Sequence, residues 1–154
     1  MTIVVFDSRK NKTYELLNPY TVVDGSNVAF EERDKNNKPK FSNILNLRKK
    51  LKKYGVIRNT IICDDSLKYC IDKRNEFIKY INNKEIITPP KDIKADLYVL
   101  QLAFEKDGLI ISNDKYREYH TIFDTDWIEN KRIPFEIVNG EIFFNKIIIN
   151  KKVM

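Results

Sequence analysis

"YTVVDGSNVAF", residues 20–30, carries four β-formers into an aspartate, passes through Gly-Ser-Asn, and resumes with apolar residues. The run predicts a strand over 20–24 and a turn through Gly25, Ser26 and Asn27. It also raises a physical question, because a buried strand rarely ends on a carboxylate without a partner for the charge. Similar apolar runs bounded by turn residues recur at 3–6, 56–63, 85–88, 109–112, 135–138 and 141–144. Most are continuous rather than alternating, as expected for strands buried on both faces.

Helical patterns lie between the central runs. Residues 41–55 place apolar side chains at 41, 44, 45, 47 and 51 among lysines and end at Gly55, which predicts an amphipathic helix with a glycine C-cap. Segments 72–83 and 92–108 predict two more, the last ending at Gly108. Strands alternating with helices imply an α/β fold with a mainly parallel sheet flanked by helices. "FEIVNGEIFF" predicts a C-terminal β-hairpin turning at Asn139-Gly140 and appended to that sheet. The "DSRKNKTYE" break after the first run predicts a flap or small hairpin, and the tail after 144 an edge strand or a frayed end. The chain is read as one domain, 1–154.

In open α/β sheets, ligands bind beyond the carboxyl ends of the strands. The residues there are Asp24, then Asp64 and Asp65, then Asn113 and Asp114. Asp96 shares a helical face with Val99, Leu100 and Ala103, which places it on an apolar stripe. Each acid also has a local reading, as turn former, N-cap or first-turn acid. Together they suggest one acidic site whose common partner is a divalent cation. Hard oxygen donors select Mg²⁺ or Mn²⁺. Cys63, Cys70 and the lone His120 lack zinc-site spacing, and Cys63 inside an apolar run reads as a reduced, buried thiol.

The 28 Lys and Arg outnumber the 22 Asp and Glu, for a net charge of +6. Lysines concentrate at 10–12, 34–40 and 48–53. Such a surface attracts polyanions, with nucleic acid the leading class and a solvated lysine face the plain alternative. No run approaches the roughly 18 apolar residues of a membrane span, and no signal-peptide pattern opens the chain, so a soluble, cytoplasmic protein without membrane partners is expected. An acidic cluster on a basic protein suits metal-assisted phosphodiester hydrolysis.

"VVDGSNVAF", "IICDDSL", "PPKDIKADLYVLQLAFEKDGLIISNDKYREY" and "FEIVNGEIFF" occur in that order, and together resemble the NYN/PIN-like ribonuclease domain of the Regnase (MCPIP) type over about residues 20–145. The resemblance implies a doubly wound, mainly parallel sheet and a Mg²⁺-dependent endoribonuclease acting on single-stranded or loop RNA, leaving 5′-phosphate and 3′-hydroxyl ends. Position by position, it implies Asp24, Asp96 and Asp114 as metal ligands. Asn27 would orient water or ligand, Glu118 would be a further acid, and Asp64 an additional acid of the prokaryotic relatives. The chain departs from the animal proteins at Ala95, where they carry a second aspartate, and shows no CCCH zinc finger.

Lys115 and Arg117 beside Asp114, and Lys35, Lys38 and Lys40 in the loop after the first motif, are the expected RNA contacts. Tyr116 and Tyr119 are read either as base-stacking or as core residues. Two other functions compete: a non-catalytic RNA-binding module or scaffold, kept open by Ala95, and an aspartyl-phosphate phosphatase with Asp24 as nucleophile. A homodimer and an antitoxin or other protein partner stay open, as does DNA in place of RNA.

Overall fold

A computed structural model describes the backbone of residues 2–7 and 12–17, and backbone and side chains of 20–53 and 55–144. At its centre is a four-stranded parallel sheet made of β3 (Thr21–Asp24), β4 (Asn59–Ile62), β5 (Leu109–Ile111) and β6 (Arg132–Ile133), in the order β4-β3-β5-β6. From β3 the chain crosses to β4 on one side, then returns to β5 on the other. This reversal opens a crevice at the carboxyl edge, where open α/β sheets take their ligands.

Alternation along the strands divides the core into two layers. Val23, Ile61, Ile111 and Ile133 face one layer, with α1 (Gly25–Glu31), α2 (Phe41–Lys53) and α3 (Arg74–Asn82). Val22, Ile62 and Ile110 face the other, with α4 (Ala95–Lys106) and α5 (Thr125–Lys131). The strands read as unbroken apolar runs because both faces are covered. Each aliphatic side chain wholly removed from water contributes about 1.5–3 kcal/mol.

Several sequence expectations are met with shifted ends. α2 closes at Gly55, whose φ of 81° is left-handed, with Val56 N donating to Leu51 O at 2.9 Å. In α4 the left-handed residue is Asp107 (φ 50°) instead of Gly108. Gly108 is there for space, since a Cβ would sit 2.8 Å from Tyr20 O. The expected strand at 85–88 is reduced to a single parallel bridge, Ile87 to Ile62, on the outer edge of β4. Its neighbours Glu85 and Ile86 instead donate to Tyr80 O and close α3.

The hairpin of β7 (Phe135–Val138) and β8 (Glu141–Phe144) turns at Asn139 (φ 50°) and Gly140 (φ 81°), the two positive φ values of a type I′ turn. It does not extend the parallel sheet as expected. Pro134, which cannot donate to a ladder, separates β6 from β7, and the hairpin joins β1 (Thr2–Asp7) and β2 (Lys12–Leu17) in a second sheet ordered β2-β1-β8-β7. β1 and β2 form the small hairpin expected at the amino terminus. The reading of the tail after 144 falls outside the described residues. Among these, no helix is long and apolar enough to cross a membrane.

Candidate active site

β3, β4 and β5 are adjacent, so Asp24, Asp64 and Asp114 emerge along one edge, and the first turn of α4 brings Asp96 to the same place. All four carboxylates line one open cleft of about 430 Å³, together with Ser26, Asn27, Phe30, Lys94 and Ala95. The local and functional readings of these acids coexist. Asp24 is the N-cap of α1 and accepts from Asn27 N at 3.3 Å. Asp64 caps the 3-10 turn over 65–69 through Ser66 N at 3.1 Å. Asp114 accepts from Tyr116 N at 2.7 Å, and Asp96 from Leu97 N at 2.8 Å.

Asp24 is the unusual member, only 6% exposed. Its Oδ2 accepts from Tyr116 OH at 2.7 Å and from Ser112 Oγ at 3.2 Å. Burial nevertheless raises its pKa; the hydrogen bonds from Tyr116, Asn27 N and Ser112 pull it down, and the Asp114 charge pushes it up. Removal of the carboxylate from water is the largest of these effects. Glu118 is exposed on the 3-10 turn 117–119, and its pKa is raised, first by a side-chain hydrogen bond with Asp96 and then by partial desolvation and the Asp96 charge.

The donor set suits a hard cation. For Asp64 and Asp114, every side-chain hydrogen bond accepted among the described residues reaches Oδ1, so local bonds aim each group and none of these residues donates to its second oxygen. Among the described residues no group of three or more Asp, Glu, His or Cys side chains is arranged closely enough to hold a metal ion by itself.

Asn27 is a brace: its Oδ1 accepts from Asn113 N at 2.9 Å, tying the start of α1 to the loop after β5. Asn113 in turn exchanges hydrogen bonds with the backbone of Phe135, 2.9 and 2.8 Å long. Tyr116 and Tyr119 are core residues, 1% and 7% exposed, which removes the base-stacking alternative. Their hydroxyls are polar supports of the cleft, Tyr119 OH donating to Asp96 Oδ1 at 2.8 Å. Burial raises the pKa of both, so both stay protonated donors.

The expected RNA contacts are placed unevenly. Lys115 and Arg117 are exposed in the segment after Asp114, and Lys35 and Lys38 are exposed in the loop after α1. Lys40 is half-buried and ion-paired to Glu32 at 2.8 Å, a tie that holds the loop in place of a free cation for phosphate. Lys94, absent from the sequence reading, is the lysine that lines the cleft. Its position one residue before Ala95, at the N-cap of α4, was the available signal.

A parallel α/β sheet with an acidic crevice at its switch point defines the PIN-like class of fold. Residues 19–152 match the Zc3h12a-like ribonuclease NYN domain, and the chain belongs to that family of RNA-cleaving domains. No curated protein is similar to it in sequence. Two solved structures of the nuclear protein-only RNase P 2 (PRORP2) of Arabidopsis thaliana share the fold. In one, 82% of this chain superposes on 29% of that protein with TM-score 0.66 and 18% identity. In the other, 86% superposes on 30%, with TM-score 0.66 and 19% identity. The chain therefore spans less than a third of the length of either.

Proposed function

We propose that this chain is a single nuclease domain that hydrolyses phosphodiester bonds of single-stranded or loop RNA in the acidic cleft, with Mg²⁺ or Mn²⁺ as cofactor. The observation that carries the reading is Asp24, a buried carboxylate at the end of a parallel strand, facing a cleft lined by three further aspartates on a chain of net charge +6. Asp24, Asp96 and Asp114 would hold the cation, which when bound lowers the pKa of a water and offsets charge on the phosphate. The protein's own part is orientation. Tyr116, Ser112 and Asn27 N fix Asp24, Tyr119 fixes Asp96, and the Asn27 to Asn113 bond keeps the β3 and β5 ends in register.

Lys94 at the cleft supplies a point charge for the scissile phosphate, Asp64 and Glu118 extend the acidic rim, and Lys115 and Arg117 lie beyond Asp114 for flanking phosphates. Ala95 lines the cleft where the animal proteins carry an acid, consistent with one tightly held cation. That no such group of three side chains is close enough among the described residues favours one second reading, an RNA-binding module that does not turn over.

The test is cleavage of an end-labelled, partly structured RNA with Mg²⁺, Mn²⁺ or EDTA, beside Asp24→Asn and Asp114→Asn. Metal-dependent cleavage lost in both variants is the expected result. RNA that binds and stays whole would move the protein to the non-catalytic reading, and variants that cut like wild type would refute the assignment of the acids.

A further inference from the structure

The "RKKLKK" run at 48–53 is not used by the cleft. Asn46, Lys49, Lys50 and Lys53 fall at i, i+3, i+4 and i+7 of α2, one helical face, while Phe41, Ile44, Leu47 and Leu51 occupy the buried face. The basic face meets the β7–β8 turn across a groove of about 420 Å³, closed on the far side by Gly140 and Glu141. Two hydrogen bonds hold the turn in place: Asn46 Nδ2 donates to Gly140 O, and Gly140 N donates to Glu32 Oε1, each at 3.2 Å. The groove is thus formed before any ligand arrives.

Lysines near a helix C-terminus have an ordinary explanation in the helix dipole. It does not account for this arrangement. Arg48, on the other flank, is paired with Glu85 at 3.0 Å, and Lys50 lies over the Phe143 ring at 5.7 Å. Lys49 and Lys53 are exposed, form no salt bridge among the described residues, and repel each other at i,i+4. Lys49 and Lys53 against Glu141 leave the groove positive.

The turn that walls the groove is tied to the segment that follows α1, whose Phe30 lines the acidic cleft. Phe30 lines the cleft, 38% exposed, with the Arg33 guanidinium 5.0 Å from its ring centroid. Glu32, two residues further on, bonds the Gly140 amide that lines the groove. Two residues of chain span at most about 7 Å, so the residue that holds the groove's turn and the residue that lines the cleft are close along one segment.

We infer that the groove between α2 and the β7–β8 turn is a second contact site for RNA, taking the backbone phosphates of a single strand whose neighbouring segment lies in the acidic cleft. The inference rests on the nuclease reading for what occupies the cleft. Lys49 and Lys53 bind phosphate as point charges, without sequence preference, and lengthen the track along which substrate is held.

The experiment measures binding of a labelled single-stranded RNA of about 20 nucleotides over a range of salt, in an Asp24→Asn background that prevents cleavage. Lys49→Gln/Lys53→Gln is compared with Lys79→Gln/Lys106→Gln, the same charge loss at exposed lysines of α3 and α4 that line neither cleft nor groove. For the groove pair, the slope of log affinity against log salt should fall in magnitude by about 1.4, or 0.7 per lysine for single strands. The control pair should keep the parent slope. Equal slopes in all three proteins, an equal fall in both pairs, or no RNA binding by the parent would overturn the inference. Cleavage by the chain with native Asp24 in Mg²⁺ is read separately. Its absence beside a slope change specific to the groove pair would defeat the nuclease reading alone, and its presence beside equal slopes would defeat the groove alone.

Discussion

Tyr116→Phe isolates the support of Asp24 from everything else in the site. The change deletes one oxygen and no carbon, so the packing of a residue 1% exposed is kept while the 2.7 Å bond to Asp24 Oδ2 is lost. Hydrogen bonds to charged groups contribute about 1.5–3 kcal/mol. Asp24 retains Ser112 and Asn27 N as donors, which favours the lower half of that range. At about 2–4 °C per kcal/mol for a domain of this size, Tm in EDTA should fall by roughly 3–8 °C. A double-mutant cycle with Asp24→Asn should return a coupling of about 1 kcal/mol or more.

The pH dependence has a defined sign. Asp24's folded pKa is raised above 3.8, so between these values the folded state holds more protons than the unfolded one, and stability of the metal-free protein falls as pH rises through that window. Removing the Tyr116 donor, which pulls the pKa down, should push the upper end of the window higher. If the cleft is the nuclease site, loss of this support should also lower metal affinity or cleavage about 10–100-fold. A Tm within about 1 °C of wild type, at most about a third of the smallest expected shift, together with no coupling to Asp24, would refute the reasoning.

Gly25→Ala should destabilise by about 1–3 kcal/mol in chemical denaturation, because a Cβ would clash with Cys63 Sγ and meet Ile62 O at 3.0 Å. Glu32 is held below its ordinary 4.5 by its bond to Lys40, so it contributes stability above 4.5 that is lost as pH falls through the folded value. The stability difference between wild type and Glu32→Gln should be under about 1 kcal/mol at neutral pH and should shrink in urea melts run at acid pH. Iodoacetamide labelling read by mass spectrometry should modify exposed Cys70 and spare buried Cys63, whose thiol pKa burial pushes well above 9.0.

Legibility in the sequence followed the physical range of each interaction. β3 and β5 were visible as unbroken apolar runs, because a strand covered on both faces needs no polar alternation. α2 and α4 were visible because they are long enough for a period of 3.6 to show. α1 and α5, seven residues each, and the two-residue β6 were missed, being too short to establish a period. The segment 85–88 has strand composition, yet α3 closes onto its backbone groups and leaves a single bridge.

The sequence by itself determined that carboxylates follow successive strands, since the position of an acid after an apolar run depends only on neighbours in the chain. It also determined that Asp24 needed a partner, because burying a charge has a cost whatever surrounds it. Tertiary structure alone decided who the protein partners are: Tyr116 reaches Asp24 across 92 residues and Tyr119 reaches Asp96 across 23. It alone set Lys94 at the cleft and brought the α2 lysines against a turn 94 residues away from Asn46. Such pairings depend on how helices fold back on a sheet, and hydroxyl and ammonium groups leave no periodic trace of that in the chain.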